Sequence, residues 1–306
     1  MVRRLVWVLV VGFLLYSLGL LAWRSCVPSG PPPPAPLKAS APVPPAPHPA
    51  APVSCLQPSS FLRAALSNGL SETNAAWAVF GRAETGWAIY QPLVAHEIGT
   101  TCPADSAAFG QALARWQASR RLPATGVMDA PTLDALRLLW LARRPFVAES
   151  EHGGCPAPPA AAALAFAHPD EGYAGKPIQL LPQALAAWRT MVAAARLEAP
   201  AVRADRRLLT IFSGFRDPDV DPRCASGEVC GTISRAWCSA HRTGLAMDLY
   251  LGSAPGFDPA SSADANRLFL SRTPAYRWLV ANAARFGFVN YPFEPWHWEY
   301  VGVAAR

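Results

Sequence analysis

The chain has 306 residues, 32 of them proline, a formal net charge of +6 and only 16% charged side chains. That composition excludes a disordered polyelectrolyte, and the basic excess is scattered arginine with just two lysines, Lys38 and Lys176, which excludes a nucleic-acid-binding stripe. A polyanionic setting such as a membrane surface or a cell wall stays compatible with it.

Leu5 to Trp23 is a run of 19 residues without a charge, preceded by Arg3 and Arg4. As a helix it spans about 28 Å, close to the ~30 Å hydrocarbon thickness of a bilayer. A cleavable signal peptide has a shorter apolar core of about 7–15 residues with small residues after it. Here the run ends in Ala22-Trp23-Arg24-Ser25-Cys26. The expectation is an uncleaved transmembrane signal anchor over residues 1–25. Two arginines before the run and one after it place the amino terminus in the cytoplasm. The chain would then cross the inner (cytoplasmic) membrane once and expose the rest to the periplasm or the outside.

Residues 26–58 are mostly Pro and Ala, which favours extended polyproline II and a spacer reaching roughly 90 Å. In an oxidising compartment Cys55, Cys102, Cys155, Cys224, Cys230 and Cys238 form an even set, with Cys26 left over at the membrane edge. Three disulfides are expected, among them Cys55–Cys102 and at least one within the 224–238 cluster. No C-x-x-C occurs, so no cysteine zinc site is expected.

Residues 59–147 are rich in Ala and Leu at helical spacing. Phe109, Leu113 and Trp116 share one helix face, and a second helix has Pro131 in its first turn with Leu133, Leu136 and Leu139 on one side. Between them stands the turn Thr125-Gly126-Val127-Met128-Asp129. The run from Phe109 through Trp116-Gln117, Leu122-Pro123 and Thr125-Gly126-Val127 to Thr132-Leu133-Leu136 resembles the peptidoglycan-binding repeat of cell-wall hydrolases. That resemblance implies an all-α wall-binding domain, beside the plainer reading of a helical unit without a ligand.

Residues 148–306 mix helices and strands without βαβ regularity, which argues for an α+β domain around a small antiparallel sheet. Leu181, Leu185, Trp188 and Val192 mark an amphipathic helix. Leu208 to Phe212, Ala246 to Leu251, Phe288 to Tyr291 and Trp298 to Val301 are strand candidates. Thr273-Pro274 caps a helix running to Phe286, ended by Gly287.

Three polar clusters interrupt these apolar surroundings: Ser213-Gly214-Phe215-Arg216, Ser239 to Asp248, and Glu294-Pro295-Trp296-His297-Trp298. Alternation sends Met247, Leu249 and Leu251 to one face and Ala246, Asp248 and Tyr250 to the other. A carboxylate half-buried at Asp248 costs several kcal/mol unless a cation answers it. Arg216 or Arg242 could do so as a structural ion pair. Alternatively His241, brought back over Asp248 by a turn at Gly244, and His297 complete an N/N/O set with a fourth position left for water, the composition of a catalytic zinc site. Glu294, three residues before His297, then suits a role other than ligand, provided the segment around Pro295 turns.

Together the three clusters, S-G-[FY]-R, S-x-H-x-x-G-x-A-x-D and E-P-W-H, resemble the zinc D-alanyl-D-alanine carboxypeptidases, the vancomycin-resistance-type DD-carboxypeptidases and dipeptidases. The resemblance covers about residues 205–303. It implies that His241, Asp248 and His297 bind Zn²⁺, that Glu294 is the general base and acid, that Arg216 stabilises the substrate oxyanion, and that Ser239 contacts the substrate's terminal carboxylate. Two stretches depart from the family pattern: Asp217 to Trp237, which carries Cys224 and Cys230, and Asn290-Tyr291-Pro292-Phe293, which stands where a Thr-Gly turn is frequent. The implied function is a zinc metallopeptidase that trims peptidoglycan stem peptides, most simply at a terminal D-Ala. L,D-carboxypeptidase or endopeptidase action within the same chemistry and a non-catalytic wall-binding protein are the alternatives.

Overall fold

The structure, a computed structural model, describes residues 54–78, 80–151, 155–218 and 239–302. The expected anchor and the Pro/Ala linker as far as residue 53 lie outside the described residues, as do Cys26, Cys224, Cys230 and Cys238. Among the described residues no helix is long and apolar enough to cross a membrane. All of them fall within one compact unit, residues 43–306.

The first part of this unit contains helices α1 (Leu62–Asn74), α2 (Gln91–Glu97), α3 (Ala107–Ser119), α4 (Ala130–Ala142) and α5 (Pro145–Glu151). Ser106 accepts a hydrogen bond from the Phe109 N–H and Asp129 from the Thr132 N–H, so α3 and α4 each begin where a side chain satisfies an otherwise unpaired amide. Phe109, Leu113 and Trp116 of α3 are buried, as are Leu133 and Leu136 of α4, while Leu139 is half-buried. The segment is not purely helical as expected. Strands β1 (Ala76–Trp77) and β2 (Glu84–Thr85) form a short antiparallel ladder where the helical spacing lapses, next to Gly81 and Gly86 at positive φ. The disulfide Cys55–Cys102 is present, and Cys155 is also disulfide-bonded.

The turn from Thr125 to Met128 is held by two fully buried amides. Gln117 accepts from the Gly126 N–H (2.8 Å) and donates to the Val127 carbonyl and to Thr132 Oγ1 (both 2.9 Å). Asn68 of α1 donates to the Gly126 carbonyl and accepts from the Met128 N–H. The glutamine of the motif is thus engaged in closing its own turn.

The second part carries α6 (Pro182–Glu198), α7 (Pro200–Ala204), α8 (Asp264–Ser271) and α9 (Pro274–Asn282), a ladder of β3 (Ala165–Phe166) with β4 (Gln179–Leu180), and a four-stranded antiparallel sheet. Its strands are β5 (Ile211–Ser213), β6 (Ala246–Leu249), β7 (Phe288–Asn290) and β8 (His297–Tyr300), in the order β5-β6-β8-β7. Strand β5 starts three residues later than the expected Leu208, because Leu209 sits at φ +67°, a conformation no strand contains. Thr273 caps α9 as expected, and Gly287 at φ +80° ends the short 3₁₀ turn that follows it. A single apolar cluster joins Leu185, Trp188 and Val192 of α6, Met247 and Leu249 of β6 and Trp298 of β8 to Phe109, Leu113 and Leu136 of the helical segment.

Candidate metal centre and active site

Pairing in the central sheet assembles the site. Asp248 stands opposite His297 in β8 and opposite Ser213 in β5, so three strands contribute neighbouring side chains. His241 comes from the 3₁₀ turn Ala240–Thr243, whose exit at Gly244 takes φ +68° and returns the chain into β6. His297 enters through a tight turn. Its N–H donates to the Glu294 carbonyl (2.9 Å), Pro295 fits the second position of such a turn, and Asn290 Nδ2 donates to the His297 carbonyl (2.8 Å). This is the bend that the E-P-W-H segment requires for both Glu294 and His297 to reach one place.

Three donor atoms converge. His241 Nε2 lies 3.1 Å from Asp248 Oδ1 and 3.1 Å from His297 Nδ1, and His297 Nδ1 lies 3.0 Å from Asp248 Oδ1. All three residues are buried. The outward nitrogens are already engaged: His241 Nδ1 faces the Gly214 carbonyl at 2.7 Å, and His297 Nε2 faces Glu299 Oε1 at 3.1 Å. Carbonyl and carboxylate oxygens only accept, so these contacts place a hydrogen on each outward nitrogen and turn a lone pair of each neutral ring inward. Two lone pairs and a carboxylate oxygen then face one another across about 3 Å, an arrangement that a cation answers. Donors about 2.0–2.1 Å from a tetrahedral ion stand roughly 3.3 Å apart, so the triangle fits zinc in size as well as in chemistry.

In the metal-free chain a proton on His297 takes the place of that cation. Burial pulls His241 down to about 4. Burial also opposes charge on His297, but its hydrogen bonds to Asp248 and Glu299 outweigh that and hold it up to about 9. Asp248 resists the upward push of burial because His241 and His297 keep it well below the usual carboxylate range. Glu299 is likewise brought down to about 2 against burial, by Arg144 and His297.

Around this triad, Glu294 Oε2 lies 4.0 Å from His297 Nδ1, and its side chain stays 30% exposed. Burial raises its carboxyl above the ordinary value, against the pull of His297. Arg216 donates through Nη2 to Asp248 Oδ2 (2.8 Å) and through Nε to Ser213 Oγ (2.9 Å). The arginine–aspartate pair therefore exists together with the histidine cluster. Arg242 instead donates to Cys155 Sγ. Ser239 begins the 3₁₀ turn, and its hydroxyl oxygen accepts from the His241 N–H at 3.3 Å.

Residues 232–303 match the family model of VanY, D-alanyl-D-alanine carboxypeptidase. This segment is similar to the VanY family. No curated protein and no solved structure matches the chain. The VanY segment includes His241, Asp248, Glu294 and His297, whereas Ser213, Gly214 and Arg216 precede it. Two further residues stand next to the His241–Asp248–His297 triangle without belonging to the three sequence clusters. Glu299, two residues beyond His297 on one strand, shares its face, a relation visible in the period of a strand. Arg144 comes from the helical segment, and no local pattern marks it.

Proposed function

We propose that the chain is a zinc metallopeptidase that removes the terminal D-alanine from peptidoglycan stem peptides, held at the membrane by its apolar amino terminus with the VanY segment on the outer side. The observation that carries this reading is the buried His241–Asp248–His297 triangle, with its outward nitrogens engaged and Glu294 beside it. His241, Asp248 and His297 would hold the metal. A bound zinc ion supplies Lewis acidity, which acidifies water and polarises the scissile carbonyl.

The chain's own groups do the rest. Glu294, kept less acidic than a free carboxyl, takes the proton from the attacking water and returns it to the leaving amine. Arg216, oriented by Ser213 and Asp248, brings positive charge to the carbonyl oxygen as it becomes an oxyanion. Ser239 can accept from the His241 amide and still donate its hydroxyl hydrogen to the substrate's terminal carboxylate.

In the fragment from Ser54 onward, incubated with zinc and purified muropeptides, Glu294→Ala should abolish product release and leave folding and metal content near wild type. Undiminished turnover in that variant would refute the assigned base.

A further inference from the structure

Arg144 lies between α4 and α5, outside the VanY match, and is 6% exposed. The two helices fix its backbone: its N–H donates to the Leu141 carbonyl and its carbonyl accepts from the Val147 N–H. Its side chain leaves the helical segment and enters the sheet domain. There Nε donates to Glu299 Oε1 at 2.8 Å, and Nη2 donates to the same oxygen. That oxygen also faces His297 Nε2 at 3.1 Å. The guanidinium carbon lies 4.1 Å from the centre of the Tyr291 ring, and the Tyr291 ring stands edge-on to His297 with centroids 6.0 Å apart.

One planar cation thus braces two groups that flank the same imidazole, one by a fork of hydrogen bonds and one by its face. We propose that Arg144 is a positioning residue of the metal centre, holding Glu299 and Tyr291 against His297, so that the helical segment is a working part of the VanY active site. Partners that grip the outward nitrogen of a ligand histidine set its tautomer and its aim, and losing them typically weakens metal affinity by about 10–100-fold. A lysine cannot replace the brace, because a point charge neither forks onto one carboxylate nor stacks on a ring. Simple docking of the two segments does not need Arg144. Arg82 pairs with Asp264, and buried Arg267 donates to Glu84 and Tyr90, all across the same boundary.

The inference rests on the metal-centre reading, and one set of measurements separates the two. Zinc affinity of the full chain is measured by chelator competition, and the d–d spectrum of the cobalt-loaded protein reports the ligand geometry. Arg144→Met should weaken zinc binding by about 10–100-fold and alter the cobalt spectrum, with Arg144→Lys restoring only part of either. Arg82→Met breaks an ion pair between the same segments away from His297, and should leave both within about twofold of wild type. Should Arg144→Met fail to fold, the double variant Arg144→Met/Glu299→Gln removes both buried charges, keeps an acceptor for His297, and should show the same weakening. Wild-type affinity and spectrum in the Arg144 variants, or an equal loss in Arg82→Met, would overturn the positioning role. A wild-type chain that binds no zinc, or that binds it as well after His241→Ala, overturns the metal centre and this inference with it.

Discussion

At the scale of residues, the chemistry turns on which nitrogen of each histidine looks inward. Gly214 and Glu299 decide that by accepting from the outward nitrogens. With His297 held up to about 9 and His241 down to about 4, the metal-free centre carries, beyond the hydrogens on the outward nitrogens, one further proton across neutral pH, on His297. Metal binding must displace that proton. Zinc affinity should therefore fall about tenfold for each unit of pH lowered between roughly pH 8 and 6, and binding at pH 7 should release close to one proton. Isothermal titration in buffers of different ionisation enthalpy measures the release; none at all would contradict these assignments. His241, Asp248, Glu294 and His297 were legible in the sequence because each breaks an apolar strand or turn pattern. Their mutual distances were not, since a bend at Pro295 has no signature except its consequence.

Elements set the aim of these groups. Strand register places Asp248 between Ser213 and His297, on the face that alternation along β6 sets opposite Met247 and Leu249. The turn at Gly244 is the more demanding part. Its φ of +68° disfavours any side chain, and a Cβ there would stand 3.0 Å from Leu164 Cδ2. Gly244→Ala should cost about 1–2 kcal/mol, lower the melting temperature by roughly 2–8 °C, and weaken metal binding because His241 lies on the same turn. An unchanged melting temperature would show that the turn relaxes without strain. The motif around Gln117 was visible as a pattern, and the structure supplies its physical content: the glutamine amide satisfies the backbone of the turn it precedes. The β1–β2 ladder has no signature in the sequence, because two-residue strands are too short to show a period.

On the scale of the whole molecule, one apolar cluster runs through both the helical and the sheet segments, reinforced by the buried Arg144–Glu299 and Arg267–Glu84 pairs. A shared core makes independent unfolding of the parts costly. The described portion should unfold in a single calorimetric transition, with the van't Hoff and calorimetric enthalpies equal; two resolved transitions would show that the segments fold separately. Sequence reading divides the chain near residue 147, since helical spacing gives way there to mixed elements. It does not reveal the contact across that division, because Arg144 and Glu299 are 155 positions apart and neither belongs to a local pattern.

The most direct test is the fate of a pentapeptide stem incubated with the zinc-loaded chain and followed by mass spectrometry. Tetrapeptide and free D-alanine should form, be lost on chelation, return with zinc, and be absent with His241→Ala. An intact pentapeptide, or cleavage that survives chelation and the loss of His241, would contradict the proposed function.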